Sequence, residues 1–242
     1  QLFALQVNSA LQNDVVNDYR AQEDTTAAYA MGTVRFGRTT LITGMRMEHN
    51  TFESRTYRYN SNTPGAPTAV AAQRDYTMWL PGLHLRHELA KNLILRESYN
   101  RSYSRPDVNS LVAGLNLNVE TGNISGGNPN LQPSTADNFD VQLEYYTPKG
   151  GLYSAGVFYK KMKGFYYDST LRFTNTDANG YPIADPNGAR LYTTQDNALG
   201  ATKPTALEST ISLTIVLAHD AAKHHSFSAA VIVSEPDTDA TA

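Results

Sequence analysis

From Ala136 to Tyr146 the chain alternates with a period of two. Phe139, Val141, Leu143 and Tyr145 fall on one side of an extended strand, and Asn138, Asp140, Gln142 and Glu144 fall on the other. Successive side chains of a strand point to opposite faces, so the segment fits a strand with one apolar and one polar face. After Pro148, Lys149, Gly150 and Gly151 the pattern returns. Tyr153, Ala155, Val157 and Tyr159 oppose Ser154, Gly156, Phe158 and Lys160, with Phe158 the imperfect member. Such a sheet either buries its apolar face inside a soluble sandwich or turns it outward to lipid in a membrane barrel.

The same reading along the chain predicts an all-β fold, an antiparallel up-and-down meander of about eight strands. They cover residues 25–36, 39–53, 74–89, 92–103, 136–147, 151–168, 206–218 and 225–235. Their connections alternate. Gly37-Arg38, Ala90–Asn92, Pro148–Gly151 and His219–His224 are short, whereas Asn60–Ala72, Ser104–Thr135 and Ser169–Thr205 are long and polar. Short turns on one side and long loops on the other are the expectation for a barrel in an outer membrane, and long structureless loops are unusual in compact soluble domains.

Composition agrees. Only 18% of the 242 residues are charged and only 40% are hydrophobic, with 15 Tyr and one Trp. A net charge of −3 gives no basic surface for nucleic acid. The absence of Cys excludes disulfides and thiolate metal sites. No run approaches the roughly 18 apolar residues of a membrane-spanning helix. Tyr145 and Tyr146 lie at a short-turn end, and Trp79, Tyr99 and Tyr159 lie toward long-loop ends, as two interfacial aromatic belts require. Glu97 breaks the pattern, because it shares a face with Leu93 and Leu95; a bulge that flips the face, or a protein contact, is expected there.

Several elements in order resemble the TonB-dependent receptors. The run from Leu80 to Gly114 looks like a barrel hairpin leading to Arg105, Pro106 and Asp107 in a loop. Next, Gly127, Asn128, Pro129, Leu131 and Pro133 resemble that family's Gly-Asn-Pro-x-Leu-x-Pro element. The strand that follows carries Asn138, Asp140, Glu144 and Tyr145 in the matching pattern, and Gly150–Phe165 continues it. The resemblance is clear over residues 39–168. Within the family the chain is most similar to the branch associated with carbohydrate uptake.

The resemblance implies part of a 22-stranded transmembrane barrel. The plug domain, the TonB box that contacts the energy-coupling complex, and the remaining strands are absent from residues 1–242, which are therefore expected to form one partial barrel domain. It further implies a Gram-negative outer-membrane location, with long loops extracellular and short turns periplasmic. The partners would be outer-membrane lipid, the TonB complex through the plug, and a small-molecule or oligosaccharide substrate. The whole protein would be an active transporter of a scarce solute such as a carbohydrate or a siderophore, not an enzyme, and without a cofactor.

For substrate contact the candidates are Tyr57, Tyr59, Tyr103, Arg105, Tyr166 and Tyr167, whose aromatic faces and polar edges suit sugars or siderophore rings; extracellular strand packing is the competing explanation for each. No catalytic set and no metal site is expected. His224-His225 lacks further ligands, and Asp177–Asp185 lacks the order of a calcium loop. Asp107 and Asp137 could pose as a carboxylate pair, but no feature brings them together. Gly122–Gly127 is read as a flexible turn. Two alternatives stay open: a complete small outer-membrane barrel, whose first and last strands would pair, and a secreted glycan-binding β-domain, whose Val141/Tyr145 face would be buried.

Overall fold

The computed structural model describes residues 18–58, 68–117, 121–177, 181–197, 207–219 and 225–236. The eight expected strands form one antiparallel sheet. In chain order they are β1 (Tyr19–Phe36), β2 (Thr39–Arg58), β3 (Thr68–Ala90), β4 (Leu93–Ser104), β7 (Ser134–Tyr146), β8 (Leu152–Lys163), β12 (Leu207–His219) and β13 (His225–Pro236), and each pairs with the next. The first three run several residues farther toward the long-loop side than alternation alone indicates.

Register fixes the faces. Val34, Leu41, Leu85, Glu97, Val141 and Val157 stand in one row across six strands, and the row continues in register to Leu213 and Val231. Directly opposed residues share a face, so this row defines a continuous apolar face. Phe139, Val141, Leu143 and Tyr145 are exposed on it, at 40–45% of their surface. That exposure is opposite to the soluble sandwich, which buries this face. One row toward the long loops, Tyr99, Phe139 and Tyr159 stack with ring centroids 4.7 and 6.1 Å apart.

Glu97 is not rescued by a bulge. Its pairings with Leu85 and Val141 are in regular register, and the irregularity of the β3–β4 pair lies between Glu88 and Ala90. The carboxylate is exposed on the apolar face, so of the two expectations, a flipping bulge or a protein contact, the regular register removes the bulge.

Two expected loops are not loops. Ser104–Thr135 contains a short helix α1 (Val108–Leu111) and strands β5 (Leu115–Leu117) and β6 (Ile124–Gly126). Ser169–Thr205 contains the rest of β9 (Tyr166–Thr176), together with β10 (Pro182–Ala184) and β11 (Arg190–Asn197). These five strands form a second sheet in the order β10-β9-β11-β6-β5, with β6 and β11 parallel. The expected strand 151–168 therefore divides. Gly164 has φ of 75°, a left-handed conformation that ends β8, and the chain re-enters as β9 of the other sheet. Gly122–Gly127 is likewise no flexible turn: its second half is strand β6, held between β5 and β11.

The second sheet lies against the polar face at the long-loop end of β2. Phe52 packs with Leu111 and Leu131, and Arg58 donates to the Ala113 carbonyl at 3.4 Å and to the Tyr181 hydroxyl. Its own core is Leu115, Ile124 and Phe173. Beneath this cover, alternate residues of β2 on the polar face are buried, namely Glu48, Asn50, Ser54, Thr56 and Arg58. The main sheet is open: among the described residues β1 and β13 each have one neighbour, so the closed eight-stranded barrel does not form.

Candidate functional site

β4 pairs with β3 only up to Asn100, yet it stays paired with β7 as far as Ser104. Freed from β3, the tip of β4 meets the polar face of β2. Tyr103 donates its hydroxyl to the Glu48 carboxylate and accepts from Asn50 Nδ2 at 3.3 Å. Arg105 donates to Tyr103 Oη at 3.1 and 3.2 Å, to Glu23 at 3.2 Å and to Glu48 at 3.4 Å. Arg46 also donates to Glu48, at 2.6 Å. Two cations thus meet one carboxylate, and Glu23 gives Arg105 a second anion. Of the six candidate contacts, Tyr103 and Arg105 are the two that share this cluster.

The others are dispersed. Tyr166 accepts from the Ser134 amide at 3.1 Å and donates to the Ser104 carbonyl at 3.0 Å, bridging the ends of β4 and β7 to the start of β9. Burial pushes its hydroxyl above the ordinary value of 10.0, against the downward pull of the Ser134 contact. Tyr167 is half-buried in β9 opposite Asp196. Tyr57 is exposed in a cleft with Asp18, Arg55 and Val70. Tyr59 lies outside the described residues.

An open groove of about 480 Å³ lies where α1 and the following Val112 and Gly114 face β6, β9 and β11. Tyr19, Asn109, Ser125, Asp168, Thr193 and Gln195 supply its principal side chains, alongside the backbone of Gly126 and Gly127. No cation lines it. Tyr19 donates to Asn109 Oδ1 at 2.7 Å and fixes one wall. None of these side chains stands in a pattern that sequence reading could single out; the pairing of β6 with β11 brings Ser125 beside Thr193 from segments nearly 70 residues apart.

The motif residues are architectural. Asp107 accepts from the Asn109 amide at 2.8 Å and caps α1, while Pro106 and Pro133 are buried. A Cβ on Gly127 would come within 2.1 Å of the Val112 carbonyl oxygen, so only glycine fits there. The Asn128 amide donates to the Ser110 carbonyl at 2.6 Å and its side chain donates to the Gln195 carbonyl at 3.2 Å, tying the element to α1 and β11. Pro129 opens the turn in which the Leu131 amide returns to the Asn128 carbonyl, and Leu131 itself is fully buried. On β7, Asn138 donates to Asn100 Oδ1, Asp140 accepts from Ser98, and buried Glu144 accepts from Arg96 and Tyr146. Tyr145 faces outward on the apolar side.

Asp107 and Asp137 serve separate partners, the latter Arg101 at 2.8 and 3.0 Å. Asp177 and Asp185 accept from turn amides, of Tyr181 and Asn187. Among the described residues no group of three or more metal-ligating side chains occurs. The side chains of His224 and His225 are outside the described part.

A family model described as TonB dependent receptor-like, beta-barrel, matches residues 3–204. No curated protein matches the chain. Among solved structures, the fold is similar to a double mutant of the Serratia marcescens hemophore receptor HasR, in complex with its hemophore HasA and heme. The TM-score is 0.54 at 16% identity, over 80% of this chain and 32% of that one. It is also similar to a mutant of the ferric enterobactin receptor PfeA from Pseudomonas aeruginosa. There the TM-score is 0.50 at 15% identity, over 89% of this chain and 36% of that one. The chain thus spans about a third of the length of either receptor.

Proposed function

This chain belongs to the TonB dependent receptor-like β-barrel family, a family of outer-membrane receptors, and from that premise we propose that it forms part of the wall and outer mouth of an active importer. The whole receptor captures a scarce solute, a carbohydrate, a siderophore or a similar molecule, and releases it inward with work delivered by the TonB complex through a plug domain. The long-loop side faces outward and the short turns face the periplasm. One observation carries this reading: the same strands that present an exposed apolar face support, on their polar face and at one end only, a folded second sheet. A wall between lipid and water needs the first feature, and a selective mouth needs the second.

Tyr103 and Arg105 are the proposed substrate contacts best supported by position, since their cluster lies on the polar face beside the second sheet. Tyr57, Tyr59, Tyr166 and Tyr167 are proposed with them. One of the two similar structures holds heme with its hemophore and the other is a ferric enterobactin receptor, which supports a small-molecule solute. The test is uptake of labelled carbohydrates and ferric siderophores by cells carrying the intact receptor, with and without TonB. Accumulation that requires both supports the proposal; accumulation indifferent to TonB overturns it.

A further inference from the structure

The apolar face changes character abruptly one row beyond Tyr99, Phe139 and Tyr159. In register with one another, and immediately on the long-loop side of those rings, come Arg101, Asp137 and Lys161; Lys163 follows two residues later on β8. Asp137 is gripped by Arg101 at 2.8 and 3.0 Å, so it neutralises one cation. Lys161 and Lys163 are exposed and make no ion pair among those of the described residues.

Among the described residues the excess of positive charge is confined to this sector. On β1, β2 and β3 the long-loop end of the same face carries Asp24, Glu53 and Asp75, all exposed, beside Arg20 and Arg55. The basic patch of β4 and β8 therefore does not extend around the sheet as a general belt. Below it run the rings, then Val141, Val157 and Ala155, a track for hydrocarbon. A cationic pair above an aromatic row above aliphatic side chains matches an amphiphile with an anionic head.

We propose that Lys161 and Lys163, with the Arg101–Asp137 pair as their flank, seat the phosphate headgroup of an anionic membrane lipid whose acyl chains lie against Phe139, Tyr159 and Val157. This inference rests on the reading of the apolar face as lipid-facing. Its occupant is a lipid and not a free anion, because the cations join the hydrocarbon track without a break.

The test uses the intact receptor in nanodiscs of phosphatidylcholine with a minor share of phosphatidic acid, measuring phosphatidic acid retained per protein after exchange into detergent. Retention should fall roughly fivefold for each of Lys161→Gln and Lys163→Gln. Lys160→Gln, on the polar face, should leave it unchanged, and Asp137→Asn should raise it. Equal retention in all variants, or an equal loss in Lys160→Gln, overturns the proposal. So does inorganic phosphate that competes at millimolar concentration in detergent, since a free-anion site would then suffice. Heat-dependent mobility of each variant on SDS gels shows whether the barrel has formed. Failure of wild type to assemble in the outer membrane would overturn the lipid-facing reading itself, whereas a folded barrel with indifferent lysines overturns the lipid seat alone.

Discussion

Tyr103 donates its hydroxyl to Glu48 although the strands that carry them, β4 and β2, are not neighbours in the sheet. The contact holds the tip of β4 across the polar face of β3 and leaves one carboxylate with a phenol and two guanidinium groups. Tyr103→Phe removes that bond and the acceptor used by Asn50 and Arg105. A charge-assisted bond of this kind contributes about 1.5–3 kcal/mol, so amide exchange over residues 100–107 of the intact receptor should accelerate while β7 and β8 stay protected. Unchanged exchange would show that the tip is held by its β7 pairing alone.

Val141→Arg and Leu143→Arg should impair barrel assembly. Both residues are exposed on the apolar face, where an arginine near mid-membrane costs about 2–4 kcal/mol. Asp140→Ala and Gln142→Ala, on the opposite face, should assemble normally. Heat-dependent mobility on SDS gels reads the difference, and equal behaviour of the two pairs would mean that the faces are assigned wrongly.

Glu97→Leu should raise the thermal midpoint of the folded receptor in detergent or bilayer. The regular register keeps the carboxylate among Leu85, Val141 and Leu95, and no ion pair among the described residues offsets its cost there. A lowered midpoint would mean that Glu97 meets a favourable partner outside the described residues.

Gly127→Ala should disorganise the second sheet and spare the wall. The new methyl would sit 2.1 Å from the Val112 carbonyl oxygen and 2.9 Å from that of Ser110, both backbone atoms that cannot step aside. Limited proteolysis should cut residues 105–133 in the variant, with the β7–β8 hairpin intact; wild-type resistance there would contradict the close packing.

Tyr166→Phe leaves the Ser134 amide and the Ser104 carbonyl without their shared partner, at a cost of about 1–3 kcal/mol. The effect also depends on pH. The folded value of Tyr166 lies above its unfolded value, so its contribution is complete below about pH 10 and declines as pH rises through the folded value. An alkaline unfolding curve should therefore lose part of its slope in Tyr166→Phe; identical curves would show that this phenol is not what titrates.

The main sheet was legible because alternation is a local property. Phe139 through Tyr145 declare a two-faced strand without help from the rest of the chain, and the short turns at Gly37 and Asn92 mark their own positions. The second sheet was not legible, because its strands are three to eleven residues long and find partners far away: Tyr192 pairs with Ile124 in parallel and with Leu171 antiparallel. Polar residues such as Thr193 and Gln195 read as loop until those partners are known. Glu97 misled in another way. A charge on an apolar face suggested a bulge or a protein contact, and its neighbours' pairing excludes the bulge. Among the candidate contacts, Tyr103 and Arg105 stood close in sequence and stayed together, while Tyr166, picked out for its aromatic face and polar edge, uses that edge to bridge Ser104 and Ser134.

That bridge sets the mechanics of the long-loop end of the sheet. One phenol fastens the last residue of β4, the first of β7 and the opening of β9 at a single point. Three segments distant in sequence thereby share one frame. Loosening that one hydroxyl would release all three strand ends together rather than one at a time.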